Sequence, residues 1–120
     1  MPGPYTPIPH TPQQLQSAAT TGTGGLLYLR GGTARVTVVL QSTGTTSGGA
    51  VSIEEAYYDQ ESGDPVYAGT WSVVQAVNAS DFTGTAQKVV HLTGSFWALR
   101  VRISSTITGG GMISVWAWGN

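Results

Sequence analysis

The sequence predicts an all-β protein: an antiparallel β-sandwich, with a jelly roll among the arrangements open to it, and an extended Pro-rich N-terminal arm. Three observations predict this. Apolar and polar residues alternate along several runs, the period of a half-buried strand. These runs recur at a spacing of roughly ten residues between Gly-, Ser- and Thr-rich turns, the rhythm of a sandwich or barrel. No stretch carries a helical period of useful length, and residues 13–19 have room for one helical turn at most.

Residues 1–20 stand apart, because Pro2, Pro4, Pro7, Pro9 and Pro12 are five of the six prolines in the chain. Proline removes backbone donors and holds the chain near polyproline II, so this segment is expected to be an arm, with the sandwich over residues 21–120. Tyr5, Ile8 and Leu15 are its apolar anchors, placed to dock on a neighbouring subunit or a partner surface. On this reading, deleting residues 1–20 leaves the fold intact and abolishes docking.

After a Thr/Gly joint at residues 20–25, Leu26, Leu27, Tyr28 and Leu29 form the expected first strand. Ala34, Val36, Val38 and Leu40 alternate with Arg35, Thr37 and Val39 in the second. Residues 42–49 read as a surface loop; no Gly-Lys-Ser/Thr follows them, so they are not a phosphate cradle. The third strand, residues 50–58, has a parity conflict: Val51 and Ile53 share a face with Glu55 and Tyr57. Either Glu55 sits at a wet edge or a bulge near Glu54 and Glu55 shifts the register. An acidic tip at residues 59–64 follows, then a short segment at Val66 and Tyr67 and a strand over residues 70–76. Residues 78–85 are a polar loop with Phe82 tucked beneath it, and residues 88–92 are a further strand.

The C-terminal part is the most regular. Trp97, Leu99, Val101 and Ile103 alternate with Ala98, Arg100 and Arg102. A Gly-rich turn then leads into Met112, Ile113, Ser114, Val115, Trp116, Ala117 and Trp118, expected to close an antiparallel hairpin. If Ile113, Val115 and Ala117 face the core, Trp116 and Trp118 face outward together; the opposite register buries both.

Composition narrows the function. At 120 residues the chain is one domain large enough for its own core, and with no cysteine it has neither disulfides nor thiolate metal sites. Charged residues make up only 9 %, against roughly 25 % in an ordinary soluble domain, so Thr, Ser, Gly and Gln build the surface. A net charge of −1 argues against a phosphate-neutralising nucleic-acid face. No apolar run approaches the ~18 residues of a membrane span. The N-terminus lacks a cationic and then apolar leader, so synthesis in a cytoplasm is expected.

Catalytic constellations are not evident. His91 lies between Val90 and Leu92 and is expected on an outer face, with no acid–nucleophile pair around it. Glu54, Glu55, Asp59, Glu61 and Asp64 form an acidic cluster that as paired carboxylates matches no glycosidase pattern; Asp59, Glu61 and Asp64 match no calcium loop, and the cluster is expected to serve solubility. No catalytic residue, metal or cofactor is therefore expected.

Residues 96–103, Phe-Trp-Ala-Leu-Arg-Val-Arg-Ile, lead through the Gly-rich turn into Met112-Ile113-Ser114-Val115. This resembles a pattern in small virion proteins of tailed bacteriophages, where a strand ending Leu-Arg-Val-Arg precedes a Thr-Gly-Gly turn and a final strand. The Pro-rich start, absent cysteine and Thr/Gly/Ser surface are similar too. The nearest class is the head decoration, or cement, proteins and related accessory proteins, and the likeness spans about the last third of the chain. It implies non-enzymatic β-sandwich subunits, often trimeric, that sit on the lattice of the major capsid protein, anchored by N-terminal arms. The expectation is thus a virion structural protein that stabilises a phage head, with Tyr5, Ile8 and Leu15 as anchors and Trp116 and Trp118 at a subunit contact. The alternatives are a carbohydrate-binding or host-adsorption module, or a tail or neck accessory protein. Sugar stacking favours aromatics flanked by Asn, Asp or Gln, and Trp116-Ala117-Trp118 has none beside it in sequence.

Overall fold

The computed structural model describes residues 11–29, 33–56, 71–82 and 87–119. Eight strands run β1 (Gln13–Ala19), β2 (Gly22–Tyr28), β3 (Thr33–Thr43), β4 (Gly48–Ala56), β5 (Ser72–Asn78), β6 (Gln87–Ser95), β7 (Ala98–Thr108) and β8 (Met112–Gly119). They form two antiparallel sheets, ordered β1-β8-β3-β6 and β2-β7-β4-β5. The pairs β1–β8, β2–β7, β3–β6 and β4–β5 are those of one long hairpin folded over on itself, with β3–β8 and β4–β7 closing the sheets. This is the strand order of a jelly roll.

The alternation seen in the sequence is what builds the core. Val36, Val38 and Leu40 of β3 and Ile113, Val115 and Ala117 of β8 point inward from one sheet. Val51 and Ile53 of β4, paired with Ile103 and Val101 of β7, meet them from the other. Each such valine, leucine or isoleucine contributes about 1.5–3 kcal/mol on burial. Phe82 lies fully buried beneath the short 3₁₀ turn Ala79–Asp81, as the sequence suggests.

Three expectations need correction in whole or in part, and a fourth is decided between its two alternatives. The first is the C-terminal hairpin: β7 and β8 belong to opposite sheets, so residues 109–111 arch across the sandwich instead. Both flanks of each strand are occupied, β7 by β2 and β4 and β8 by β1 and β3, which leaves no edge for mutual pairing. The arch is stitched to the β3–β4 connection by Ser47 N–H donating to Thr108 O (2.8 Å) and Gly111 N–H donating to Thr45 O (2.7 Å).

The second is the arm. Residues 13–19 are neither arm nor helical turn but strand β1, and Leu15 is 5 % exposed within the chain's own core. The boundary expected at residue 20 therefore cuts through the sandwich. Gln16 explains the local geometry. Register shifts on either side of it turn it inward beside Leu15, where its side-chain amide donates to Val101 O (3.0 Å) and Gly22 O (3.1 Å). It thereby ties one sheet to the other along the β1–β2 flank. Tyr5 and Ile8 lie outside the described residues, as do the acidic tip and Val66 and Tyr67.

The third concerns residues 42–49, which are exposed at 43–45 and 47 as a surface loop would be, but are anchored as a joint by two buried residues. Ser42 continues β3, and both it and Thr46 are fully buried. Their hydroxyls donate to Phe82 O (2.8 and 3.1 Å), and Thr46 also reaches Ala79 O (2.9 Å). The fourth, the parity conflict in β4, resolves as the bulge near Glu54 and Glu55 that the sequence offers and not as Glu55 at a wet edge. The register shift lies between Ile53 and Glu54 and adds Val74 to β5, leaving Glu55 half-buried and Glu54 buried.

The arch between β7 and β8 yields a first prediction. Gly109 and Gly110 both have positive φ, +106° and +93°. A Cβ on Gly109 would lie 2.7 Å from Ser47 N, whereas one on Gly110 meets nothing within 4 Å. Gly110→Ala should cost about 1 kcal/mol, for the backbone conformation alone. Gly109→Ala should cost at least about twice that, because the joint must also shift. Urea unfolding of the two variants gives the comparison.

Candidate docking face

Because Ile113, Val115 and Ala117 fill the core, Trp116 and Trp118 point outward from β8, on the free face of the β1-β8-β3-β6 sheet. Neighbouring strands bring their outward residues alongside. Val39 of β3 pairs with Trp116 on one side and Val89 of β6 on the other, making one cross-strand row. The next row sets Trp118, Thr37 and His91 side by side. His91 is exposed, as expected, and its Nδ1 lies 3.4 Å from Thr37 Oγ1.

The two tryptophans are half-buried, and with Pro12, Val39, Gln41 and Gln87 they line an open groove of about 350 Å³. Among the described residues, no charged side chain lines it. Val89 at 40 % and Met112 at 45 % exposure extend the apolar character of this face. Tryptophan and apolar residues gathered in such a groove are what interaction faces are built from. Gln41 and Gln87 are the residues that sequence proximity missed: they come from β3 and β6 and pair with each other. Only the register of those strands places their carboxamides beside the indoles.

The opposite outer face, on the β2-β7-β4-β5 sheet, holds a different group. Glu54 pairs directly with Arg100 across β4 and β7 and lies diagonally from Arg102. Arg100 Nε approaches Oε1 at 2.7 Å, Arg102 Nη2 and Nε reach Oε2 at 2.9 and 3.0 Å, and Ser52 Oγ donates to Oε2 at 3.1 Å. Trp71 caps Arg100, its ring centroid 4.2 Å from the guanidinium carbon. Burial pushes the Glu54 carboxyl up, but hydrogen bonds from Arg102, Arg100 and Ser52 and the Arg100 charge outweigh it, so the net shift is downward. A carboxylate held ionised by two guanidiniums is a poor proton donor near neutrality, and this group acts as a clamp across the sheet.

Among the described residues, no three His, Asp or Glu side chains are gathered so as to hold a metal ion, and no helix is long and apolar enough to cross a membrane. Comparison of the chain with protein-family models, curated proteins and solved structures finds no significant match.

Proposed function

We propose that this chain is a non-enzymatic virion structural protein that docks on the outer surface of a tailed-phage head and stabilises the shell of major capsid protein. The observation that supports docking is the outward pair Trp116 and Trp118 with Val39 beside it, lining a groove with no charged side chain among the described residues. The phage assignment rests on the likeness of the Leu-Arg-Val-Arg strand, Gly-rich turn and final strand. The jelly-roll order is compatible with it by analogy, since that architecture serves in viral capsid domains, though fold alone does not fix function. Stabilisation would act by mass action: a ligand present at 100 times its Kd and bound only by the assembled shell contributes about 2.7 kcal/mol per site. Tyr5 and Ile8 are proposed to add contacts from the arm. Leu15, committed to the core, is not.

The test uses heads of the tailed phage that encodes the chain, prepared without it. Wild-type protein should co-sediment saturably and raise the temperature of head disruption. Trp116→Ala/Trp118→Ala should bind at least about 30-fold more weakly, as loss of one hot spot or more implies. Undiminished binding by the variant would remove this face from the interaction, and no binding by wild type would sink the virion reading.

One observation favours a second reading, a carbohydrate-binding or host-adsorption module. Gln41 and Gln87 stand beside the two indoles, so the groove offers both stacking faces and amide partners for hydroxyls. A glycan array separates the readings. A hit lost in Gln41→Ala/Gln87→Ala would favour the sugar, and an empty array would leave the protein-docking reading.

A further inference from the structure

The sandwich has four edge strands among those described, β1 and β6 in one sheet and β2 and β5 in the other. An open edge exposes unpaired backbone donors and acceptors, and natural sheets blunt such edges with bulges, charges, proline or a covering segment. Three of the four are blunted. β1 shifts register against β8 on either side of Gln16, β2 shifts against β7 between Thr23 and Leu26, and β5 shifts against β4 beside Glu54. Gln16 also ties β1 to residues of the opposite sheet.

β6 differs. It pairs with β3 through nine consecutive residue pairs with no shift, from Thr33 with Ser95 to Gln41 with Gln87. It contains no proline, aspartate or glutamate, and Lys88 near one end is its one full charge. Its sequence is also self-complementary when reversed about His91. Val90 then faces Leu92, both directed toward the core; Val89 faces Thr93, both directed outward; and Lys88 faces Gly94, which has no side chain to oppose it. Leu92 is only partly buried on its own core, and the pairing would cover it. Facing residues must lie on the same side of a sheet, so only registers centred on a residue are possible. Centring on Val90 sets Lys88 against Leu92, and centring on any residue but His91 shortens the ladder.

We propose that β6 is the subunit contact of this protein: a second copy pairs its own β6 antiparallel to it, about a two-fold axis through His91. The two four-stranded sheets then join into one continuous eight-stranded sheet. The contact is isologous and closes at two copies, so it builds even-numbered assemblies. It replaces the three-fold arrangement that the phage likeness implies. It stands on the edge geometry alone and does not depend on what the tryptophan face binds.

Charge pairs at positions 89 and 93 test both the contact and its register, because each faces the other across the proposed axis. Both residues are exposed and point outward, and Thr93 pairs with Arg35 of its own chain. Two full-length variants share Thr93→Glu, which keeps the effect of Arg35 constant. Val89→Glu/Thr93→Glu places like charges opposite each other twice and should weaken self-association about tenfold or more. Val89→Lys/Thr93→Glu places opposite charges there and should return association to the wild-type range. Light scattering on a sizing column across a concentration series reads the mass, and circular dichroism confirms that each variant is folded. The expected masses are dimer, monomer and dimer for wild type and the two variants in that order. A monomeric or odd-numbered wild type, an unchanged mass for Val89→Glu/Thr93→Glu, or a failure of Val89→Lys/Thr93→Glu to re-associate would each overturn the proposal.

Discussion

A chain that begins at Gly22 should fail to fold stably, and a single Leu15→Ala substitution should lower the melting temperature by about 12 °C. Both outcomes follow from β1 being part of the sandwich. Leu15 is 5 % exposed and packs in the core, and truncating a buried leucine to alanine costs about 2–5 kcal/mol. At about 4 °C per kcal/mol for a domain of this size, a mid-range loss of about 3 kcal/mol gives the expected shift. Removing the whole strand does more. It deletes the ladder of Gln13, Gln14, Gln16 and Ala19 on β8, strips the cover from Val101 O and Gly22 O, and turns β8 into an open edge. A chain beginning at Thr11 keeps every described strand and is the reference for both variants. Thermal unfolding followed by circular dichroism decides the matter. If the chain from Gly22 melts cooperatively within a few degrees of the reference, β1 is dispensable and residues 13–19 behave as the arm that composition suggests.

Why β1 was illegible is itself physical. Its sequence, Gln-Gln-Leu-Gln-Ser-Ala-Ala, holds one large apolar residue, and the bulges place Leu15 and Gln16 both inward, which destroys the period of two. β3 and β8 were legible because regular ladders preserve alternation over their whole length. β4 was half legible: its parity conflict announced a bulge but did not say which glutamate would be buried. The error over residues 97–118 has another cause. A Gly-rich turn between two alternating strands is equally suited to a hairpin within one sheet or an arch between two. The choice depends on which distant strands occupy the flanks, and no local pattern records that.

The docking face was legible in the same partial way. That Trp116 and Trp118 share a face follows from their spacing. That the face is the outer one follows only when Ile113, Val115 and Ala117 are known to fill the core. Val39, Gln41, Val89 and Gln87 join it through the β3–β8 and β3–β6 registers, over sequence separations that no motif spans. Arg100 and Arg102 were visible as an outward pair, while their partner Glu54 was visible only as an acid in an awkward strand.

That partner should matter most in acid. Glu54 has a side chain 4 % exposed and is held by two arginines whose side chains are 21 % and 39 % exposed. Glu54→Ala leaves both guanidiniums facing each other without a counter-charge, and should cost about 2–3 kcal/mol. This is below the 3–5 kcal/mol of a fully buried pair, because Arg102 retains contact with water. Glu54→Gln keeps the shape and one acceptor, and should cost less. The pH dependence identifies the cause. With the folded carboxyl held below its ordinary value of 4.5, the unfolded chain binds more protons in the interval between the two values. The stabilisation is thus complete above about pH 4.5 and drains away as pH falls through the folded value. Melting temperatures of wild type and Glu54→Gln, measured from pH 6 to pH 2.5, should be separated by a constant gap down to about pH 4.5 and converge below it. Every other group is common to the two proteins, so its contribution cancels in the difference. A gap that persists unchanged to pH 2.5 would mean that Glu54 contributes by packing and neutral hydrogen bonding, and that the ion pairs with Arg100 and Arg102 add little to stability.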